Sequence, residues 1–106
     1  MSTIKVIKIG GKVIDDESKL DQFLADFIQI EGNKILVHGG GKIASDVASK
    51  LGIETKMIEG RRITDSHMLD VVTMVYAGLV NKKIVAKLQA LDCNALGLSG
   101  ADLNLI

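Results

Sequence analysis

Two short β-branched stretches, each running straight into adjacent glycines, dominate the first part of the chain. Residues 3–9 end at glycines 10–11, and residues 34–38 end at glycines 39–41. Such runs, bounded by glycine, are typical of buried β-strands that stop at a loop. The pattern therefore predicts two strands, each followed by a glycine loop.

A helical period follows each glycine loop. Between residues 16 and 31 the apolar positions lie three or four residues apart, with Ser18 or an adjacent aspartate as the N-cap. These positions are Leu20, Phe23, Leu24, Phe27 and Ile28. Residues 43–51 repeat the period, and Gly52 supplies the residue that commonly ends a helix. Two successive strand–loop–helix units predict parallel strands and an α/β fold.

The second half of the chain is less regular. Residues 53–63 mix apolar and charged positions, which indicates a short hairpin or an irregular excursion from the sheet. Thr64 is a good N-cap for a helical pattern that reaches about residue 91, and Gly78 and Asn81 predict a division into two consecutive helices. The first of these helices carries more apolar residues, between Met68 and Tyr76, than one helical face can bury, which favours packing on both sides, as at a dimer interface.

A third strand is predicted at residues 95–98, followed by a loop at Ser99 and Gly100. The chain stops at Ile106, before any helix that would cover this strand, so we expect a fold that is incomplete at its C-terminus.

Composition narrows the choice of partner and compartment. The 106 residues hold 13 Lys and Arg and 13 Asp and Glu, so no basic field attracts nucleic acid. The N-terminus has no long apolar stretch, and Cys93 is alone, so we expect a cytoplasmic protein without a membrane anchor or disulfide. A small-molecule partner follows. Two histidines and one cysteine, without clustered spacing, do not predict a metal site.

The two glycine loops are the strongest candidates for chemistry. In open parallel sheets, ligands bind beyond the carboxyl ends of the strands, and glycine lets backbone N–H groups approach an anion. The alternative is that the glycines only make tight turns. Lys8 ends the apolar row of Ile4 and Val6, beside the first loop. It could stabilise a transferring phosphoryl group, or it could simply extend past the sheet edge.

Arginine and histidine supply weaker candidates. Arg61 and Arg62 could bind a carboxylate through a bidentate fork, although surface salt bridges are their commoner role. His38 ends the second strand and is better explained as a hydrogen-bonded structural residue than as an acid or base. His67 is expected to be exposed.

The second loop satisfies one of two common nucleotide-binding motifs. A Walker A loop is absent, because Leu36 stands where its first glycine belongs and Ile43 replaces its Ser or Thr. Residues 39–44 do satisfy Gly-x-Gly-x-x-Ala, and Glu59 follows about twenty residues later. A dinucleotide-binding domain that uses Gly39, Gly40 and Gly41 is therefore one alternative, and a non-catalytic amino-acid-binding module is another.

Five short motifs follow one another along the whole chain. They are Ile7-Lys8-Ile9-Gly10-Gly11, Val37-His38-Gly39-Gly40-Gly41, Gly60-Arg61-Arg62-Ile63-Thr64, Ala77-Gly78-Leu79-Val80-Asn81-Lys82 and Ala95-Leu96-Gly97-Leu98-Ser99-Gly100. In order and spacing they resemble the amino acid kinase family, specifically its N-acetylglutamate kinase branch. The resemblance implies a three-layer αβα fold with a mainly parallel sheet.

The resemblance also implies an activity. Members of this branch use ATP with Mg²⁺ to phosphorylate the γ-carboxylate of N-acetyl-L-glutamate, or another N-acylglutamate, in arginine biosynthesis. Lys8 would be catalytic, Gly10 and Gly11 would bind phosphate, and Gly40, Gly41 and Arg62 would bind the substrate. Arg62 would clamp its α-carboxylate, although Arg61 stands where many members have an apolar residue.

The family's length sets a further expectation. Residues 1–106 would form the N-terminal part that binds the acylglutamate and forms a homodimer through residues 65–77. The C-terminal ATP-binding part is absent, so the chain alone should be catalytically silent.

Overall fold

A parallel pair of strands forms the centre of the molecule. The structure is a computed structural model that describes residues 3–54, 56–59, 61–63 and 65–104. Strand β1 (Ile4–Ile9) pairs in parallel with β2 (Asn33–His38), and Ile9 lies opposite His38 at the carboxyl end. The predicted strands, their parallel pairing and the α/β class are confirmed.

Two helices connect these strands. The short helix α1 (Gly11–Ile14) begins at the second glycine of the first loop and is too brief to show a sequence period. Helix α2 (Glu17–Phe27) begins at Asp16, whose carboxylate accepts hydrogen bonds from the Ser18 and Lys19 N–H groups at 3.1 and 3.2 Å. It ends earlier than residue 31, but the predicted apolar face is the one that packs into the core.

The helix after β2 follows its prediction closely. Helix α3 (Ile43–Lys50) buries Ala44 and Ala48, whose small side chains allow close approach to the helix that packs on it. Its end is closed by Gly52 at φ +74°, and the Ile53 N–H donates to the Ala48 carbonyl at 2.8 Å. The glycine therefore occupies the left-handed position that was predicted.

A short antiparallel hairpin separates α3 from the rest of the chain. Strands β3 (Lys56–Ile58) and β4 (Arg61–Ile63) pair with Met57 opposite Arg62. This confirms the hairpin alternative for residues 53–63. Gly60 and Thr64, which belong to the third sequence motif, lie outside the described residues.

The predicted break in the long helical pattern is wrong. Helix α4 (Ser66–Val72) continues through a π-helical segment, Thr73–Val80, into α5 (Asn81–Ala90). Asp65 caps α4 by accepting a hydrogen bond from the Met68 N–H at 2.8 Å. The π-helical turns absorb the local irregularity that Gly78 suggested, because they add residues per turn without ending the helix.

The two faces of the parallel pair differ in their surroundings. Ile7, Ile9 and Leu36 face the helices and pack into the core. The opposite face carries Ile4, Val6, Ile35 and Val37, all exposed, with Ile4 60% and Val6 64% accessible. Among the described residues the helices thus cover one face of the sheet.

The predicted third strand is also wrong. Within the described part of the chain, residues 93–99 form an extended segment without a strand ladder. Side chains of α5 hold this segment: Gln89 Oε1 accepts from the Ala95 N–H, and Lys82 Nζ donates to the Gly97 carbonyl, both at 3.0 Å. No helix in the described residues is long and apolar enough to span a membrane.

Candidate functional site

The two glycine loops meet at the carboxyl edge of the parallel pair. Because Ile9 and His38 are register partners, the loops leave the sheet from adjacent positions. A Cβ atom added to Gly11 would lie 3.2 Å from the Cα atom of Gly41, which is tighter than ordinary packing. The structure therefore brings together the two loops that the sequence predicted as one site.

The second loop is tightly enclosed. Gly40 is buried, and a Cβ atom at this position would overlap the ring of Tyr76. Gly41 has φ +59°, a left-handed conformation that costs other residues free energy. Tyr76 lies in the π-helical segment, and π-helical turns are frequent at functional sites. The sequence pattern places Tyr76 only in an apolar helix, because nothing local indicates its contact with Gly40.

One acidic side chain connects the loops. The Asp15 N–H donates to the Gly11 carbonyl at 2.8 Å, and Asp15 Oδ1 accepts a hydrogen bond from the Lys42 N–H at 2.9 Å. The sequence alone does not indicate this role of Asp15, because its hydrogen-bond partner is 27 residues away. A polar residue at the end of a short helical turn was its only local signal.

Lys8 lies near the carboxyl end of β1, on the uncovered face of the sheet. Its position at the end of the row formed by Ile4 and Val6 is as predicted. The apolar row does not keep Lys8 from solvent, because the residue is exposed in this chain. The lysine is thus accessible to a ligand at the glycine-loop edge.

His38 takes part in a polar network beside the second loop. Its Nδ1 donates to the Gly39 carbonyl at 2.8 Å, and its Nε2 accepts from Asn81 Nδ2 at 3.1 Å. This pair of bonds requires the proton on Nδ1 and a free lone pair on Nε2. The interpretation of His38 as a hydrogen-bonded structural residue agrees with these contacts.

Asn81 extends that network to the third glycine-containing motif. Its side chain is buried, with 8% of the residue accessible, and Nδ2 also donates to the Leu98 carbonyl at 3.3 Å. A Cβ atom at Gly97 would overlap Asn81 Oδ1. Asn81 therefore ties the extended segment 93–99 to the end of β2, a role that its sequence position did not reveal.

The third loop is closed by its own hydrogen bonds. The Ser99 N–H donates to Asp102 Oδ2 at 2.6 Å, and the Ser99 hydroxyl donates to the same oxygen at 3.1 Å. The backbone bond, followed by the hydroxyl bond, lowers the pKa of the Asp102 carboxyl. This loop presents a fixed acidic turn at the end of the described chain.

For the two candidate arginines the structure describes only the backbone. Arg61 and Arg62 belong to β4, and their side chains lie outside what the structure describes. His67 is exposed, as predicted. Among the described residues there is no group of three His, Cys, Asp or Glu side chains that could hold a metal ion.

The sequence of this chain matches known proteins of one family. The model of the amino acid kinase family matches residues 3–106. An acetylglutamate kinase from Phocaeicola vulgatus is 62% identical over 97% of this chain and 40% of its own length. An acetylglutamate kinase from Parabacteroides distasonis is 61% identical over 100% of this chain and 42% of its own length. The chain thus spans about 40% of the length of these relatives.

Solved structures agree at the level of the fold. The crystal structure of smu.665 from Streptococcus mutans UA159 matches with a TM-score of 0.69 and 24% identity, over 92% of this chain and 40% of that one. N-acetylglutamate synthase from Neisseria gonorrhoeae matches with a TM-score of 0.57 and 22% identity, over 92% of this chain and 22% of that one. With the family match over nearly every residue, these likenesses lead to one conclusion: the chain belongs to the amino acid kinase family.

Proposed function

We propose that this chain is the substrate-binding part of an enzyme that transfers a phosphoryl group from ATP to the γ-carboxylate of N-acetyl-L-glutamate, a step of arginine biosynthesis. The observation that carries the proposal is the close approach of the Gly11 and Gly41 backbones at the carboxyl edge of the parallel strands, where a Cβ atom on Gly11 would be crowded. The acceptor follows from the relatives, which are named acetylglutamate kinases.

Each loop has a separate role in this proposal. The amides of Gly10 and Gly11 bind the transferring phosphate, and those of Gly40 and Gly41 bind a substrate carboxylate. Lys8, exposed at the same edge, stabilises the charge that develops on the phosphoryl group. Arg62 clamps the α-carboxylate, an assignment that rests on the sequence motif alone.

ATP and Mg²⁺ bind mainly outside this chain in our proposal. The relatives are about two and a half times as long as the matched segment, which leaves ample sequence for a nucleotide site. The described residues offer no cluster of side chains for a metal, so we assign Mg²⁺ to the nucleotide phosphates. The 106-residue chain alone is then inactive, and the enzyme works in the cytoplasm, where ATP is available.

We further propose a homodimer through residues 65–77. Leu69 and Met74 are 55% and 53% accessible although neighbouring residues of the same helix are buried. Sedimentation of the chain should show a dimer that Leu69→Asp dissociates. Leu96→Asp is the control, since Leu96 is equally apolar and more exposed but lies outside this segment. A monomer in the unsubstituted protein would refute the dimer.

A chimera tests the main proposal. Residues 3–106 replace the matching segment of the Phocaeicola vulgatus relative, with which they share 62% identity. The chimera should phosphorylate N-acetyl-L-glutamate with ATP, whereas the remainder of the relative alone should not. A folded chimera that neither binds nor phosphorylates this substrate would refute the function.

The role of Lys8 can be tested in the same chimera. Lys8→Met should lower kcat by roughly a hundredfold or more and change KM for N-acetyl-L-glutamate little, because the charge is needed in the transition state. Lys12→Met removes an exposed lysine just after the first loop and serves as the matched control. Equal losses in kcat and substrate binding would eliminate this role.

Titration identifies the acyl group and the clamp. The 106-residue chain is titrated by calorimetry with N-acetyl-L-glutamate, N-succinyl-L-glutamate, ATP and NAD. Preference for the acetyl compound is expected, and Arg62→Ala should weaken its binding or raise KM in the chimera. An unchanged affinity would transfer the role to Arg61 or to neither arginine.

The dinucleotide alternative has no support in the described residues. Glu59 follows β3, but β3 pairs antiparallel with β4 and is not part of the parallel pair. The fingerprint needs its acidic residue at the carboxyl edge of the parallel sheet. Binding of NAD without an acylglutamate in the titration would nevertheless overturn the kinase proposal.

A further inference from the structure

Asp15 is hydrogen-bonded to both glycine loops, through its backbone to the first and through its carboxylate to the second. Its backbone N–H is bound to the Gly11 carbonyl of the first loop, at 2.8 Å. Its carboxylate is bound to the Lys42 N–H, at the end of the second loop, at 2.9 Å. One residue thereby fixes both sides of the contact between Gly11 and Gly41.

The second loop depends on this outside support. Helix α3 starts after Lys42, which provides no side-chain hydrogen bond to cap it. The Asp15 carboxylate satisfies a backbone N–H at that helix start, where a negative charge is favourable. It also lies so close to Gly41 that a Cβ atom there would overlap Oδ1. The carboxylate therefore packs against the residue whose left-handed conformation shapes the loop.

We propose that Asp15 is a positioning residue that holds the Gly40–Gly41 backbone against the first loop, so that its amides face the substrate. The proposal rests on the function proposed above and adds a residue that no sequence motif assigned. Asp15 occupies the Lys42 N–H, and the substrate carboxylate binds the amides nearer to β2. Asp15 makes no contact with the reacting groups and acts through the loop.

The competing physical effect is electrostatic. A carboxylate beside an anion-binding loop repels an anionic substrate, and in that case its removal would improve binding. Asp15→Asn separates the two effects, because asparagine keeps an oxygen acceptor for the Lys42 N–H but loses the charge. Asp15→Ala loses both.

A matched control is available nearby. Asp15 and Asp46 both line a cleft of about 360 Å³ between the start of α2 and the start of α3. Asp46 is exposed in the first turn of α3 and carries the same charge. Asp46→Ala therefore removes a carboxylate from the same cleft without removing the hydrogen bond to Lys42.

The first measurement is amide hydrogen exchange in the 106-residue chain. Asp15→Ala should speed exchange of the Lys42 N–H by about five- to tenfold, the factor that corresponds to the net contribution of one typical hydrogen bond. Asp15→Asn should retain most of the protection, and Asp46→Ala should retain all of it. Unchanged exchange in Asp15→Ala would overturn the proposal.

The second measurement is steady-state kinetics in the chimera. Asp15→Ala should raise KM for N-acetyl-L-glutamate by about five- to tenfold, with a smaller change in kcat, because the loop binds the substrate in both ground and transition states. Asp15→Asn and Asp46→Ala should stay within about twofold of the parent. A lower KM in both Asp15 variants would establish repulsion instead of positioning.

The two measurements separate failure of this proposal from failure of the proposed function. An active chimera in which Asp15→Ala leaves KM unchanged would overturn only the positioning role. A folded but inactive parent chimera would overturn the function, and with it the catalytic purpose of Asp15. Exchange at Lys42 would then still decide whether Asp15 holds the loop.

Discussion

The two glycine loops share a sequence pattern but use their glycines for different physical reasons. In the first loop, Gly10 has an extended backbone and nothing within 4 Å of an added Cβ, whereas Gly11 touches the second loop. In the second loop, Gly40 is buried under Tyr76 and Gly41 has a positive φ against Asp15. The second loop is enclosed by side chains, and the first is largely open.

The contrast shows that a run of glycines does not constrain each position equally. Gly39, like Gly10, has open space where a Cβ atom would be. In each loop the first glycine is therefore structurally replaceable, and the later ones are required by packing or conformation. An open first glycine remains available for an approaching ligand, and substitutions can separate these two roles.

The largest expected effect is at Gly40. Gly40→Ala forces the Tyr76 ring out of its place and should reduce the free energy of unfolding by about 2 kcal/mol or more, as overpacking in an enclosed site does. Gly39→Ala, at an open position, should change it by less than about 0.5 kcal/mol. Urea denaturation of the chain measures both.

A double mutant locates the cause of this loss. If the ring causes it, Gly40→Ala should cost much less when Tyr76 is replaced by alanine, because the clash has been removed. Similar stability of the Gly39 and Gly40 variants would contradict the description of the second loop as enclosed.

Gly41 comes next in size. Gly41→Ala places a Cβ atom at a left-handed position, which costs about 1–2 kcal/mol, and also against the Asp15 carboxylate. In the Asp15→Ala background the loss of stability caused by crowding against the carboxylate should disappear. The loss caused by the left-handed backbone should remain. Denaturation of the two single variants and the double variant gives the coupling; strict additivity would show that Asp15 does not crowd this position.

Local patterns predicted the parts of this fold that depend on neighbouring residues. The β-branched runs, the glycine loops, the apolar face of α2 and the C-terminal glycine of α3 were all evident in the sequence. The break predicted at Gly78 and Asn81 failed because Asn81 is bound to His38, 43 residues earlier, and to the Leu98 carbonyl. Such tertiary partners outweigh a modest helix propensity.

The candidate site shows the same division. The pattern identified Gly11 and Gly41, but Asp15 and Tyr76 contact the second loop from other elements, and no local pattern indicates those contacts. The strand predicted at residues 95–98 has suitable residues, yet a strand needs a partner, and in the described chain the side chains of α5 hold this segment instead.

The two glycines of the first loop provide a smaller contrast. Gly11→Ala brings a Cβ atom to 3.2 Å from the Gly41 backbone and should be about 1 kcal/mol less stable than Gly10→Ala. Gly10→Ala should be neutral or slightly stabilising, because alanine tolerates the extended backbone and restricts the unfolded chain. Equal stabilities would mean that the loops do not press on one another at Gly11.

The smallest expected effect concerns how the helices after the loops begin. Helix α2 is capped by Asp16 within its own segment, whereas α3 uses Asp15 from the other loop. The Ser18 hydroxyl, with the Lys19 N–H, lowers the pKa of the Asp16 carboxyl below its usual 3.8. The Asp16 carboxylate makes its full contribution to stability above the unfolded-state pKa. That contribution is lost as the pH falls through the lowered pKa of the folded state. Stability of the chain and of Asp16→Asn, measured from pH 7 to pH 2, should therefore converge slightly on acidification, and parallel curves would show that this exposed cap contributes no pH dependence.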